Sequence, residues 1–465
     1  MQSKKPYLLP YPLTCSSDRV QDGVSMELVN EYIRKHESRM RRYDYLENLY
    51  RGFHDIYKQP EKPRWKPDNR LAVNFPRYIT ETFLGYAYGI PIKKNHPDDA
   101  INTSLAEFEA NNEITDHEYE LFRAVCIYGH AWEYFYQDEE ARTKMTVCTS
   151  KELFVVYDDT MRHRALFAVR YGYRAEDSMH SGERFGEILT SQSTDFFEGS
   201  AKTESADNPY GYIPCVEYRM NDDRIGIYEE VSGLVEAYNH AIGEKANDVD
   251  AFAEAYLAVL GSELDEDGVR RIRDNRLINL YGTDDAKEVI VQFLQKPTAD
   301  TTQENLLDRL ENLIYQISMV ANISDEAFGS NSSGTSLAYK LQAMSNFALG
   351  FDRKIEKSLR KRYKIFCSLS TNVSDKDAWK EIEIATSRNL PKNLLEEAQT
   401  AQNLSGIVSQ ATQLSVLSVV KDVAAEMEKI ESEQEKQRED TVVNRMFGGA
   451  DGQQDVLEEP GDGES

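Results

Sequence analysis

The residues with the clearest potential for chemistry are four pairs of adjacent aspartates. They are Asp98 and Asp99, Asp158 and Asp159, Asp222 and Asp223, and Asp284 and Asp285. Two neighbouring carboxylates could hold Mg²⁺ for a metal-dependent nuclease or another hydrolase. Each pair falls at a predicted turn, where aspartate is favoured because its side chain hydrogen-bonds to the backbone. We therefore prefer the turn interpretation and keep the hydrolase as an alternative.

A segment rich in glycine and serine has the spacing of a phosphate-binding loop but lacks its lysine. The segment runs from Gly329 to Ser336, and Thr335 stands at the position of the lysine. That lysine reaches the β- and γ-phosphates, so its absence removes much of the nucleotide binding. A predicted helix also precedes the segment, where such a loop needs a strand. We predict a flexible polar loop, with Ser333 or Thr335 capping the helix that follows.

The remaining reactive residue types form no recognisable site. The sequence has no HExxH, GxGxxG or GxSxG motif, and its eight histidines are dispersed. Its five cysteines form no CxxC pair, so neither a zinc site nor a disulfide framework is indicated. We expect no catalytic residues, no metal and no cofactor, and a reducing cytoplasm during the protein's synthesis.

The charge balance is strongly acidic, with a formal net charge of -26. A chain with this balance should repel DNA as a whole, because DNA-binding proteins gain affinity by neutralising phosphates. The same balance suits a surface past which DNA must slide without adhering. No apolar run approaches the length of a membrane-spanning helix, and the N-terminus lacks the apolar core of a secretion signal.

One basic cluster interrupts this acidic background, between Arg353 and Lys364. It holds seven cations against Asp352 and Glu356. Such a cluster could bind nucleic acid. We prefer the interpretation that it is a solvated or interface surface whose cations pair with acidic neighbours.

The elements that must position these residues change character along the chain. Apolar periodicity predicts helices at about Met26–Tyr50, Tyr78–Tyr88, Ile101–Phe108 and His117–Ile127, with a linker rich in proline and lysine after the first. Alternating patterns then predict strands at Trp132–Gln137, Lys144–Cys148, Leu153–Tyr157, Ala165–Tyr173, Phe185–Leu189 and Ile213–Tyr218. The polar stretch Phe197–Asn208 is predicted to be a loop.

Three long amphipathic helices follow. The first, Tyr228–Ala253, carries apolar residues on one face and Glu236, Glu244, Asp248, Asp250 and Glu254 on the other. The second has an apolar stripe at Leu306, Leu310, Leu313, Ile317 and Val320, and the third begins near Leu337. A compact segment between the first two predicts strands at Tyr256–Leu260, Leu277–Tyr281 and Glu288–Leu294, with a short helix at Asp265–Asp274. After a strand-like Glu381–Ala385, helices are predicted from Lys392 to about Glu439, before a disordered acidic tail.

This order of parts resembles the SPP-type portal family, the head-to-tail connector proteins of tailed bacteriophages. The resemblance covers about residues 26–440. The stretches that carry it are Leu46–Gly52, Lys66–Leu71, Asn74–Pro76, Thr82–Tyr86, Gly89–Pro91, Ala255–Gly261, Asp267–Asn275, Leu277–Leu280, Asp325–Gly329, Asn331–Gly334, Leu337–Leu341, Gly406–Ser409, Val420–Val423 and Glu426–Glu431. Ser418 and Val419 depart from the family, which has a proline in this region.

The resemblance implies an α+β, predominantly helical portal fold that assembles as a ring. Its regions would be an N-terminal arm (1–25), a wing (26–227), a first stem helix (228–255), a clip (256–300) and a second stem helix (301–322). A tunnel loop (323–336), a long helix with a return to the wing (337–390), a helical crown (391–446) and a disordered acidic tail (447–465) would follow.

The resemblance also implies a function and its sites. A homo-dodecameric ring at one capsid vertex of the virion would pass double-stranded DNA during packaging, retention and ejection. DNA would contact Asn331, Ser332, Ser333 and Gly334 in the tunnel loop, and Glu236, Glu244, Asp248 and Glu254 would line the channel. Arg270, Arg271, Arg273 and Arg276 of the clip would dock partners. The expected partners are the terminase large subunit, the major capsid and scaffolding proteins and a head-completion adaptor. Besides the hydrolase, another phage head structural protein stays as an alternative.

Overall fold

The computed structural model describes most of the chain in two units. The described residues are 12–63, 66–174, 183–253, 257–260, 290–293, 300–323, 334–389, 394–417, 419–420, 423 and 426–436. The first unit is Met1–Asn389 and the second is Leu390–Ser465.

The first unit opens with a short strand and two helices where one helix was predicted. Strand β1 is Leu13–Cys15, helix α1 is Met26–Glu37 and helix α2 is Met40–Arg51. The break at residues 38–39 has a packing cause. Helix α1 buries its apolar face against the larger sheet, whereas α2 buries Tyr43, Leu46 and Leu49 in the main helical core. A single straight helix could not present its apolar stripe to both.

Three further helices contribute to the main core. They are α3 (Phe75–Tyr88), α4 (Asp99–Asn111) and α5 (Ile114–Tyr128), with strand β2 (Lys93–Asn95) between α3 and α4. The Asn74 side chain caps α3 by accepting from the Arg77 backbone N–H at 3.1 Å. Gly129 ends α5 with a φ of 85°. A Cβ at Gly129 would lie 2.0 Å from the Arg224 carbonyl oxygen, so this close crossing of two segments needs glycine.

Eight strands follow α5 and form two sheets, and β1 is part of the larger one. They are β3 (His130–Gln137), β4 (Thr143–Thr149), β5 (Leu153–Asp158), β6 (Ala165–Tyr173), β7 (Arg184–Leu189), β8 (Ser193–Glu198), β9 (Ala201–Asp207) and β10 (Cys215–Arg219). One sheet has the order β1-β5-β6-β7-β8-β9 and the other β10-β3-β4. A small cluster around Trp132 and Leu153 contains buried residues of both sheets. All six predicted strands are confirmed.

The predicted loop at Phe197–Asn208 was wrong, because this stretch contains the end of β8 and all of β9. The two strands pair antiparallel, and Phe197 packs into the core of the sheet. Every residue of β9 is exposed. An edge strand that buries no side chain has no apolar alternation, so its sequence looks like that of a loop.

The long helices and the ribbon between the first two were predicted correctly apart from their ends. Helix α6 is Ser232–Ala253 and α7 is Asp300–Ser318, and β11 (Leu257–Leu260) pairs antiparallel with β12 (Ile290–Phe293). The predicted helix Asp265–Asp274 and strand Leu277–Tyr281 lie outside the described residues. Helix α8 is Gly334–Phe366, about 50 Å long at 1.5 Å per residue. Strand β13 (Glu383–Ala385) then pairs with β2.

The second unit is helical where it is described. Helices α9 (Leu394–Asn403) and α10 (Gln410–Ser415) are followed by helical residues 426–436. Ser409 caps α10, because its hydroxyl oxygen accepts from the Thr412 backbone N–H at 3.3 Å. The predicted acidic tail, 447–465, lies outside the described residues.

Candidate functional site

Helices α6 and α7 form an antiparallel pair that packs on the main core. Phe75 of α3 contacts both helices, with ring centroids 5.0 Å from Tyr238 and 5.8 Å from Tyr315. Towards the far end, Gln303 donates to the Asp248 carboxylate at 3.0 Å, and Lys245 forms an ion pair with Glu304. Aromatic packing at one end and polar bonds towards the other hold the pair together.

The buried stripe of α7 differs from the predicted one. Leu307 and Ile314 are buried within this single chain, whereas Leu306 is 50% exposed and Ile317 is 42% exposed. Val320, the last residue of the predicted stripe, follows α7 and is buried in the main core. The predicted stripe through Leu306 and Ile317 is therefore a second apolar face of α7, adjacent to the face that packs within the chain.

Other large apolar side chains are exposed on the same helices and on the linker before α3. They are Val249, Tyr339 and Leu349 on α6 and α8, and Phe53, Tyr57, Leu71 and Val73 in or next to the linker. Exposed large apolar side chains that group into a patch mark interaction sites. These residues are therefore candidates for contacts with another polypeptide.

The polar face of α6 contacts the linker (54–74), of which the structure describes residues 54–63 and 66–74. Asn239 and Asn247 are buried, and their side-chain oxygens accept from the backbone N–H groups of Val73 at 2.7 Å and Asn69 at 2.6 Å. A linker outside regular secondary structure has unpaired backbone donors, and these amides satisfy two of them. A Cβ at Gly243 would lie 2.9 Å from the side chain of Ile56, so glycine allows this close packing.

The acidic residues predicted to line the channel also contact the linker or α7. Glu236 accepts from the Asp55 backbone N–H at 3.2 Å, and Glu244 pairs with Lys62 at 2.7 Å. Asp248 accepts from Gln303, and Glu254 lies outside the described residues. Channel lining stays a prediction for all four. Sequence reasoning missed Asn239 and Asn247, whose signal is two amides eight residues apart on an otherwise acidic helix face.

The predicted loop and clip residues are placed only in part. Gly334 is the first residue of α8 rather than a loop residue. Asn331, Ser332 and Ser333 lie outside the described residues, as do Arg270, Arg271, Arg273 and Arg276. Their roles stay predictions.

A buried charge cluster joins α8 to the rest of the first unit. The Arg362 guanidinium, fully buried, bonds to Glu133 at 2.6 and 2.9 Å and also to Glu118. Glu133 further accepts from Tyr218 at 2.9 Å and lies 2.8 Å from His117. Burial alone would raise the pKa of Glu133, but the charge of Arg362 and the contact with His117 lower this pKa to about 2. The cluster is therefore a structural ion network.

The aspartate doublets that the structure describes have structural partners. Asp98 caps α4 by accepting from the Ala100 backbone N–H at 2.8 Å. Asp158 accepts from the Thr160 hydroxyl at 2.7 Å, and Asp222 pairs with Lys354 at 2.6 Å. Asp284 and Asp285 lie outside the described residues. Among the described residues, no group of three or more histidines, cysteines or acidic residues could hold a metal ion. Nor is any described helix long and apolar enough to cross a membrane.

These features define a class of structural assembly proteins. A mixed α/β body carries an antiparallel helix pair, a two-stranded β ribbon lies between the two helices in the sequence, and large apolar side chains are exposed on these helices. Residues 29–440 match the sequence model of the family described as "Phage portal protein, SPP1 Gp6-like". The chain belongs to this family, whose members are structural proteins of the phage head, and the predicted resemblance is confirmed.

Individual proteins also resemble the chain. The portal protein of Bacillus phage SPP1 is 20% identical over 417 residues, which cover 83% of this chain and 80% of that protein. A chain in the neck of a native gene transfer agent particle, computed with C12 symmetry, is 12% identical with a TM-score of 0.42. It covers 74% of this chain and 89% of its own length. A chain from the neck of the empty particle, computed with C6 symmetry, is 14% identical with a TM-score of 0.43. The match covers 78% of this chain and 96% of that chain.

Proposed function

We propose that twelve copies of this chain form a ring at one vertex of a phage capsid in the virion. The ring is the channel through which double-stranded DNA is packaged, retained and ejected. Membership of the portal family supports the class of function. The observation that carries the proposal for this chain is the second apolar face of α7, because a face at Leu306 and Ile317 left exposed in one copy can pack on a neighbouring copy.

Such packing produces a closed ring if the contact joins different surfaces of neighbouring copies. Contacts of this head-to-tail kind generate rings when the rotation between subunits closes. The exposed apolar residues lie on two kinds of element, the long helices and the linker beside α6. One surface of a copy can therefore meet the other surface of its neighbour.

The channel wall combines a net negative charge with one polar loop. The acidic balance of the chain opposes adhesion of DNA phosphates, so the polymer can slide. Glu236, Glu244, Asp248 and Glu254 contribute charge to the stem in this proposal. Asn331, Ser332 and Ser333, with Gly334, give neutral contacts to the DNA backbone at the tunnel loop.

The clip supplies the docking platform. Arg270, Arg271, Arg273 and Arg276 suit acidic surfaces on the terminase large subunit and later on a head-completion adaptor. The wing contacts the major capsid and scaffolding proteins while the head is assembled in the host cytoplasm. The motive force comes from the terminase, since this chain has no complete nucleotide-binding loop.

Imaging of the purified protein tests the proposal. Negative-stain microscopy should show rings with a central hole wide enough for a DNA duplex. Mass photometry should show particles of about twelve times the 53.3 kDa of one chain. A monomer at every salt concentration, or rings too narrow for a duplex, would contradict the proposed function.

A further inference from the structure

The basic cluster near the end of α8 separates into paired and unpaired cations. Arg362 is buried in the ion network, and Lys354 pairs with Asp222. Arg360 bonds to Glu356 at 2.8 Å, and the Lys364 ammonium lies 4.8 Å from the centroid of the Tyr212 ring. Three of the seven cations thus pair with acidic residues, as the sequence interpretation expected, and Lys364 contacts an aromatic ring.

The other three cations form a stripe on one face of the helix. Arg353, Lys357 and Lys361 are exposed, and no ion pair with a described carboxylate engages them. They follow one another at intervals of four residues, which places them on the same side of α8, about 6 Å apart along its axis. We call these three residues the basic stripe.

The charges of the stripe are compensated only indirectly within the chain, because Asp222 and Glu217 interact electrostatically with Lys357 and Lys361 without forming an ion pair with them. Loss of hydration lowers the pKa of the Lys361 ammonium, and the charges of Lys357 and Arg219 lower it further, although Glu217 acts in the opposite direction. Glu217 is itself bound by Arg224 at 2.6 and 3.0 Å and contacts His130. Its charge is therefore shared among several cations. In a chain of net charge -26, three adjacent cations without a direct ion pair to a described carboxylate favour an anionic ligand from outside the chain.

The chemistry of the surface favours a nucleic acid over a protein as that ligand. The core of a protein–protein interface is apolar, whereas an interface with DNA is polar and strongly positive. From Gly350 to Asn389, all of which the structure describes, no large apolar side chain is exposed, and Leu349, one turn before Arg353, is the single large apolar side chain exposed beside the stripe on the described part of α8 after Leu341. The stripe extends about 12 Å along the helix axis, which matches the axial length of three to four phosphates on one DNA strand.

We propose that the basic stripe binds the phosphate backbone of double-stranded DNA without reading its sequence. The inference rests on the proposed function for the presence of DNA, and it adds a second DNA contact outside the stem and tunnel loop. Because the chain as a whole has a net charge of -26, the stripe gives the protein a local attractive site. A duplex held there would be positioned by charge alone and released readily by salt.

Binding of a short fluorescent duplex to the full-length protein tests this inference. Fluorescence anisotropy would be measured from about 50 to 200 mM salt for the wild type and for Arg353→Gln/Lys357→Gln/Lys361→Gln. The stripe variant should bind at least about tenfold more weakly at low salt. Its slope of log K against log salt should be shallower by about two to three, because each lost phosphate contact removes about 0.9.

A matched control removes three exposed cations elsewhere. Arg41→Gln/Lys93→Gln/Arg162→Gln makes the same change in net charge on residues that are exposed and lie outside the stripe. The control should bind DNA like the wild type. An equal loss in the control would show that net charge alone governs binding, and an unchanged slope in the stripe variant would show that the stripe makes no phosphate contact. Either result overturns the proposal.

Mass photometry of the same variants separates this inference from the proposed function. If the stripe variant binds DNA normally but no longer forms rings, the stripe contacts a second copy of the chain and the inference is wrong. If the wild type forms no rings yet binds DNA through the stripe, the proposed function fails while the inference stands.

Discussion

At the scale of single residues, Arg362 shows what local sequence cannot reveal. In the sequence it belongs to a run of seven cations and looks like its exposed neighbours. In the structure it is fully buried between Glu133 and Glu118. These partners lie more than 200 positions earlier, on β3 and α5, so no local pattern could identify them. The apolar residues around it, Leu359 and Tyr363, follow the helical period and were predictable as core positions.

Replacing Arg362 should destabilise the first unit strongly. Arg362→Met leaves Glu133 and Glu118 buried without their main counter-charge, and breaking a buried ion pair in this way typically costs about 3–5 kcal/mol. The measurement is the midpoint of urea unfolding followed by fluorescence. Arg360→Met is the matched control on the same helix, because the pair of Arg360 with Glu356 is partly exposed and contributes less than about 1 kcal/mol. Equal shifts for the two variants would contradict the structural role of the cluster.

His36 should make the stability of the fold depend on pH. Its buried ring contacts the Tyr171 hydroxyl and the Ser150 carbonyl, both at 2.9 Å, and burial lowers its pKa to about 3. The unfolded chain takes up a proton below about pH 6.5, whereas the folded chain does not until about pH 3. Stability should therefore fall as the pH drops below 6.5, and the loss should continue towards pH 3.

Urea unfolding at pH 7 and pH 5 would check this. In His36→Gln the difference in unfolding free energy between the two pH values should be smaller than in the wild type by about 1–2 kcal/mol. His240→Gln, at an exposed position of α6, should leave the wild-type difference unchanged. An identical pH dependence in wild type and His36→Gln would show that His36 is not the group responsible.

At the scale of elements, the periodicity of apolar residues predicted the helices and most strands. It failed for a strand that buries no side chain and for a segment that packs on two separate cores. The edge strand β9 buries no side chain, so nothing in its sequence distinguishes it from a loop. The segment Met26–Arg51 packs on two different cores, so its continuous apolar pattern hides the break between α1 and α2. The stripe at Leu306 was recognised correctly as apolar, but the sequence does not tell whether a stripe packs within one chain or between chains.

The contact between α6 and the linker should depend on its buried amides more than on its exposed carboxylates. Asn239→Ala leaves the Val73 N–H without its acceptor, and the loss of one such partly buried hydrogen bond costs about 0.5–1.5 kcal/mol. Limited proteolysis should therefore cut the linker between residues 54 and 74 faster in this variant. Glu244→Ala removes only a partly exposed ion pair with Lys62 and is the control, with a cleavage rate near that of the wild type. Faster cleavage in the control than in Asn239→Ala would show that the carboxylates, and not the amides, hold the linker against α6.

At the scale of the whole molecule, the surface of one chain has the exposed apolar residues expected of a subunit that packs against other copies. Its core is well filled, with Phe83, Ile79 and Leu121 fully buried, yet aromatic and aliphatic residues are exposed on α6 to α8 and on the linker. Sequence reasoning reached the family because the parts occur in a characteristic order. It could not place the clip arginines or the tunnel loop in space, and their roles are still predictions.

The second apolar face of α7 should be required for assembly but not for folding. Leu306→Glu/Ile317→Glu places two charges on side chains that are exposed in one chain, so the subunit should keep its helical content by circular dichroism. Burying those charges between copies would cost several kcal/mol at every subunit interface, and the ring repeats that cost at each contact. Mass photometry should therefore show monomers or small oligomers in place of rings. Asn305→Glu/Gln316→Glu adds the same charges one residue away, at exposed polar positions of the same helix, and should still form rings. Rings in both variants would mean that this face of α7 remains in solvent after assembly and that the copies meet through other surfaces.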